Sequence, residues 1–300
     1  MRQIQAKDLT GSMVALVTPM HSDGSINFPQ WQTLVKWHIK CDTDAIIVAG
    51  TTGESSLLKA SEVNTLVESA VKLCQNTNTK IIVGTGSINP DQVIQSNQQA
   101  KKLGADAVLV VTPYYLTLTQ QALFEHFNGI ATKSELPIIL YNVPSRTGMD
   151  LQTKTTVQLA KNPNILGIKE AKADVERIKQ LVKINNFSVL SGNDDSFFTA
   201  MTLGAHGVIS VAANARPKAI KHICNLIQLG SITEAEQLND ELISFYDFLS
   251  KEPNPCPIKA IMNAAEIIDD GIRKPLILTA LNPTCRDQQL KSIRQELNPL

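Results

Sequence analysis

Ala107-Val108-Leu109-Val110-Val111 decides the fold: five apolar residues in succession, with no polar alternation between them. A strand with one wet face alternates, whereas a continuous apolar run is expected of a parallel strand covered on both faces. Runs of the same kind recur at Ser12–Val17, Ala45–Ala49, Lys80–Gly84, Pro137–Tyr141, Ile165–Lys169, Ser188–Leu190 and Gly207–Val211. Between them lie segments with helical spacing, such as Trp31, Leu34, Val35 and His38, or Val63, Leu66, Val67, Ala70 and Val71. Asn89-Pro90-Asp91 places a cap, a first-position proline and a first-turn acid ahead of one helix, and Ser61 stands as the start signal of another.

Eight strands, starting roughly 20–36 residues apart, read as βαβ units with right-handed crossovers. The fold class that follows is α/β, a TIM (β/α)8 barrel. A doubly wound dinucleotide-binding sheet would need a GxGxxG fingerprint. Gly84 and Gly86 begin one, but Asn89 stands at the third glycine position. After about residue 230 the strand signal stops. Ala235–Leu249 reads as one amphipathic helix, and the proline-rich Glu252–Pro257 breaks the chain. Helices around Ile258–Ile268 and Arg286–Leu297 follow. The expected division is a barrel over 1–230 and a C-terminal helical appendage over 231–300, too small to be stable alone.

The composition narrows the function classes. Of 300 residues 43% are hydrophobic and 19% charged, enough apolar material for a packed core and against disorder. Lys and Arg number 28, as do Asp and Glu, so no basic excess points to nucleic acid or an anionic membrane. No apolar run reaches the ~20 residues of a bilayer span, and the start, MRQIQAKDLTG, is too polar for a secretory signal. A soluble, cytoplasmic protein is expected. The cysteines, Cys41, Cys74, Cys224, Cys256 and Cys285, are scattered singly without CxxC spacing. They read as reduced thiols, with Cys74 and Cys224 in the core. His21, His38, His126, His206 and His222 form no metal-binding pair, so no metal site is expected.

In a barrel enzyme the site lies at the C-terminal ends of the strands. Strand two ends in Gly50-Thr51-Thr52-Gly53-Glu54, a tight turn whose N–H groups could cradle a carboxylate. Strand four ends in Thr112-Pro113-Tyr114-Tyr115, and strand five in Tyr141-Asn142-Val143-Pro144-Ser145-Arg146-Thr147-Gly148. Strand six closes an apolar run with Lys169, which alternation aims into the barrel mouth. A buried ammonium costs several kcal/mol unless paired or neutralised. Two readings stand open here: a salt bridge to Glu170 or a neighbour, or an uncharged amine ready to form a Schiff base with a ketone.

Taken together, GTTGE, PYY, YNVPSRTG, GIKEA, SGND (Ser191–Asp194), GVISV (Gly207–Val211) and EPNPCPIK (Glu252–Lys259) resemble the dihydrodipicolinate synthase/N-acetylneuraminate lyase family. The resemblance runs from Gly11 to the C-terminal helices. It implies class I aldolase chemistry without a cofactor, pyruvate itself being held as a covalent imine on Lys169. It further implies Tyr141 against that lysine, Thr51 and Tyr115 completing a proton relay, and Tyr115 reaching in from a partner subunit. Thr52 would hold the pyruvate carboxylate, while Gly192 and Ile209 would line the pocket by their main chains. The imine serves as an electron sink, and a tyrosine–threonine–tyrosine chain moves protons without leaving a net buried charge.

Arg146 points to the synthase branch, where an arginine in this loop binds the carboxylate of L-aspartate 4-semialdehyde through a bidentate fork. The implied reaction condenses pyruvate with that aldehyde, on the route to diaminopimelate and lysine. The alternatives are another pyruvate-dependent aldolase, acting on a keto-deoxy sugar acid or sialic acid, and a catalytically silent keto-acid-binding homologue. Presence of the lysine and both tyrosines speaks against the second. A homotetramer, built as a dimer of dimers, is implied by the family alone. Two places depart from its pattern. Leu116-Thr117-Leu118-Thr119 lacks a proline that many relatives carry after PYY. Ala60, Val63 and Gln92 stand where lysine-inhibited relatives carry histidines, polar groups and an acid, so weak or absent feedback by lysine is expected.

Overall fold

The computed structural model describes residues 4–297, so the outermost three positions of each expected range lie outside the described residues. Eight parallel strands close into a barrel in sequence order: β1 (Gly11–Ala15), β2 (Ala45–Val48), β3 (Lys80–Gly84), β4 (Ala107–Val111), β5 (Ile138–Asn142), β6 (Ile165–Glu170), β7 (Ser188–Ser191) and β8 (Gly207–Ser210). Met13 of β1 lies beside Ala45 of β2 on one side and Ile209 of β8 on the other. That shared neighbour is what closes the ring.

The uninterrupted apolar runs are explained by two cores. Met13, Ala15, Ile47, Ile82, Leu109, Ile139, Leu190 and Ile209 fill the barrel. Their alternate neighbours, including Val14, Ile46, Val83, Val108, Leu140, Ile168 and Val189, pack against the helices. Each valine, leucine, isoleucine or methionine among them contributes ~1.5–3 kcal/mol when fully buried, and none could be polar without facing one core or the other. Tyr141 belongs to the inner set and pairs in register with Lys169. The strand period therefore turns Lys169 inward at the C-terminal end of the barrel and Glu170 the other way.

Helix starts follow the side-chain chemistry. Asn89 accepts from the Asp91 N–H at the head of the helix Pro90–Leu103, as its cap pattern predicts. Ser61 is not a cap. The helix Ala60–Cys74 begins one residue earlier, and Glu62 reaches back to accept from the Lys59 N–H at 2.7 Å, so the serine falls in the first turn. Trp31, Leu34, Val35 and His38 form the buried face of the helix Phe28–Lys40.

The segment expected as one helix over 235–249 is two, Ile232–Asp240 and Ile243–Ser250. The Leu242 N–H donates to the Asn239 carbonyl three residues back, tightening the backbone there. Buried Ala235, Leu242, Tyr246 and Leu249 keep their spacing across the break, which is why periodicity did not reveal it. The next helices run over Cys256–Ala264, ending short of Ile268, and over Pro283–Leu297. They are tied to the barrel by charge. Glu296 accepts from Arg216 Nε and from the N–H groups of Lys218 and Ala219 at the start of the helix Pro217–Leu229. Arg273 grips Glu62 through both terminal nitrogens and holds its carboxyl down at about 2. Cys41, Cys74, Cys224 and Cys256 are free, buried thiols. No helix among the described residues is long and apolar enough to cross a membrane.

Candidate active site

A cavity of about 1450 Å³ opens at the C-terminal ends of the strands. Lys169 and Tyr141 reach it from adjacent strands, Thr51 and Thr52 from the turn after β2, Arg146 from the short helix Pro144–Thr147 that follows β5, and Gly192 from the end of β7. Lys169 is 5% exposed, and its Nζ stands 4.5 Å from the centroid of the Tyr141 ring. The salt bridge to Glu170 is not formed. Glu170 is engaged elsewhere: it accepts from Arg177 Nε at 2.5 Å, Asn142 Nδ2 at 2.9 Å and the Lys172 N–H at 2.9 Å. Burial pushes its carboxyl up, and Arg177 opposes that. Among the described residues no carboxylate lies within ion-pair distance of Lys169. Its amine faces the cavity unpaired.

Room for that amine is made by Gly192. A Cβ there would stand 2.7 Å from the Ala171 Cβ and 3.0 Å from the Lys169 Cε. Beside it Asp194, also on the cavity wall, accepts from Ser210 Oγ at 2.5 Å and from the N–H groups of Val211 and Ala212. Burial raises its pKa, with those donors and the Lys169 charge acting in the other direction.

The Thr51–Thr52 turn is closed by the Gly53 and Glu54 N–H groups, which donate to the carbonyls of Gly50 and Thr51. Those two donors are consumed. The N–H groups of Thr51 and Thr52 find no acceptor among the described residues and stay available for an anion. Glu54 ends the turn in the left-handed region, φ 60°, a geometry that costs of order 1–2 kcal/mol for a residue with a Cβ. It is held there by Lys259 Nζ at 2.5 Å and by the Arg273 N–H at 2.9 Å. Both side chains of the Glu54–Lys259 pair are fully buried. Burial pulls the lysine below its usual range, and Glu54 works in the opposite direction. Asn254 joins the two motifs again: its Nδ2 donates to Thr52 Oγ1 at 3.0 Å, and its carbonyl accepts from Arg146 Nη2 at 3.1 Å. Arg146 has no carboxylate partner among the described residues, so it is not a surface salt bridge.

Two sequence-predicted residues do not line this cavity. Tyr115 has φ 71° and is 93% exposed, turned away from its own barrel. Ile209 is fully buried in the inner core beside Met13. Asp194, Asn254, Glu54 and Lys259 lay within the quoted motifs without an assigned role. Only the pairing of distant segments shows what they do. Among the described residues no group of three or more His, Cys, Asp or Glu is placed to hold a metal ion.

Comparison with known proteins agrees with this geometry. Residues 8–295 match the model of the Dihydrodipicolinate synthetase family. A 4-hydroxy-tetrahydrodipicolinate synthase of Coxiella burnetii (strain RSA 493 / Nine Mile phase I) is 44% identical over 266 residues, 89% of this chain and 91% of that one. The crystal structure of the chloride-inhibited dihydrodipicolinate synthase from Acinetobacter baumannii, complexed with pyruvate, superposes with a TM-score of 0.90. It is 41% identical and covers 96% of this chain and 98% of its own. A structure described as the first monomeric dihydrodipicolinate synthase variant has a TM-score of 0.91 at 32% identity, covering 98% and 99%.

Proposed function

Because the chain belongs to the dihydrodipicolinate synthetase family, we propose that its cavity condenses pyruvate with L-aspartate 4-semialdehyde to 4-hydroxy-tetrahydrodipicolinate, the activity of a 4-hydroxy-tetrahydrodipicolinate synthase. The observation that carries this reading is the unpaired, buried amine of Lys169 lying over the Tyr141 ring.

Lys169 Nζ attacks the keto carbon of pyruvate, and loss of one water from the carbinolamine leaves an imine. The imine draws electrons from the neighbouring methyl group, which gives up a proton and becomes an enamine. That carbon attacks the aldehyde of the second substrate, forming the new carbon–carbon bond and a hydroxyl. The substrate's own amino group then attacks the imine carbon, closes the ring and returns Lys169 as a free amine. Tyr141 and Thr51 carry the protons, their hydroxyls having no protein partner among the described residues. The pyruvate carboxylate rests on Thr52 and the free N–H groups of the turn. Gly192 leaves space on one side, while Ile209 stays in the barrel core, off the cavity lining.

The third relay member, Tyr115, comes from a partner subunit. Its exposure, with Tyr114 at 40% and Leu116 at 43% beside it, supports a covered surface in an assembly. A homotetramer built as a dimer of dimers fits that reading, and a fully active monomer in sedimentation-checked assays would remove it. The division at residue 230 and a cytoplasmic location belong to the same proposal, the location being supported by four buried free thiols.

The test is chemical. Incubation with pyruvate and borohydride is expected to leave a reduced adduct on the peptide containing Lys169, and added aspartate semialdehyde should then be consumed with the pyruvate. An unmodified peptide in folded protein would favour a silent keto-acid binder. An adduct without condensation would favour a sugar-acid aldolase.

Arg146→Ala is expected to keep imine formation while losing roughly 10- to 150-fold in condensation, since a hydrogen-bonded contact to a charged group is worth ~1.5–3 kcal/mol. Equal loss of the pyruvate adduct in a folded variant would show that Arg146 serves pyruvate instead. Ala60, Val63 and Gln92 also line the cavity, and none can pair with an ammonium as a carboxylate does. Millimolar lysine is therefore expected to leave turnover within about two-fold, and a micromolar inhibition constant would overturn that expectation.

A further inference from the structure

Thr52 is 2% exposed, and its hydroxyl receives one hydrogen bond, from Asn254 Nδ2 at 3.0 Å. A hydroxyl has a single hydrogen and two lone pairs. With an amide N–H on one lone pair, the hydrogen must point elsewhere, and among the described residues Thr52 Oγ1 donates to no protein acceptor. The hydroxyl is thereby made a dedicated donor on the cavity wall. Asn254 itself is anchored through its backbone, whose carbonyl accepts from Arg146, so its side chain can be changed without removing that contact. Resting on the reading that Thr52 holds the pyruvate carboxylate, we propose that Asn254, supplied by the C-terminal segment, is a positioning residue that orients the Thr52 hydroxyl toward that carboxylate.

The two ends of the Asn254 side chain make the idea testable. In Asn254→Asp the shape is kept but the group can only accept, so it captures the Thr52 hydrogen and turns it from the substrate. In Asn254→Ala the hydroxyl rotates freely. The readout is the pyruvate dependence of the borohydride-trapped Lys169 adduct, followed by intact mass. Asn254→Ala is expected to raise the half-saturating pyruvate concentration about 5- to 10-fold, and Asn254→Asp at least as much, the range of one ordinary hydrogen bond. The adduct plateau and the KM for aspartate semialdehyde should stay within about two-fold. Thr52→Val should also raise the pyruvate requirement, and Asn254→Ala added to it should cost nothing further, because the two groups act through one hydroxyl.

Coincident curves for Asn254→Asp and the unmodified protein, or full additivity in the double variant, would overturn the proposal. A KM for aspartate semialdehyde rising in step with that for pyruvate would do the same, since it marks general damage to the loop. Should Asn254→Ala unfold, Asn254→Asp carries the test, because it preserves the packing. If the unmodified protein forms no adduct at all, the functional reading fails first, and this role goes with it.

Discussion

Lys169→Ala is expected to lower turnover by at least about 10⁴-fold, with no trapped pyruvate at any concentration, since removing a covalent nucleophile costs the whole path through its intermediate. Lys169→Arg should be equally inactive. It keeps a positive charge beside Tyr141 but offers no amine that can become neutral and attack. The pair of variants thus separates the charge from the nucleophile. Stability is expected to move little, or upward, in Lys169→Ala. The side chain is 5% exposed and among the described residues has no carboxylate partner, so it gains no ion-pair energy from them and its burial is a cost. That combination, a large loss of rate with a melting temperature held or raised, marks a residue kept for chemistry. Turnover surviving in either variant would end the assignment. So would collapse of the fold in Lys169→Ala, which would make the lysine structural.

Lys259→Met should do the opposite. Glu54 and Lys259 are fully buried and paired at 2.5 Å, and removal of the lysine leaves a carboxylate in the interior with, among the described residues, the Arg273 N–H alone for support. Breaking such a pair by one partner costs ~3–5 kcal/mol, which for a chain of this size corresponds to a fall of roughly 5–15 °C in melting temperature. The double variant Glu54→Gln with Lys259→Met should recover much of it, because no charge is then left uncompensated. The left-handed Glu54 is the hinge of the Thr51–Thr52 turn. The single variant should therefore also lose affinity for pyruvate before it loses its fold. Differential scanning calorimetry and the adduct titration read the two effects separately. A melting temperature within about 2 °C of the unmodified protein would show that solvent or a neighbour compensates Glu54.

How legible the site was depended on how far apart its partners stand in the chain. Lys169 could be found because it terminates an apolar strand, a place where a charged residue conflicts with its surroundings. Its alternative, a bridge to Glu170, could not be dismissed until Arg177 was seen to occupy that carboxylate. The turn at Thr51 was visible from its glycines, but the predicted cradle included donors that the turn itself consumes. Asn254 and Lys259 carried no signal of their role. Their partners, Thr52 and Glu54, are 202 and 205 residues away, and a single sequence holds no record of which distant groups meet. The break at Leu242 escaped for the converse reason: local spacing continued unchanged through it.

Hydrophobic patterning by itself determined the barrel, its order of strands and the end of it at which chemistry belongs, because a parallel strand must be apolar on both faces and turns successive side chains to opposite ones. Only the tertiary structure decided which polar groups are spent on one another and which are left facing the cavity. That is a matter of angles and distances between segments, and hydrogen bonding, unlike burial, depends on both.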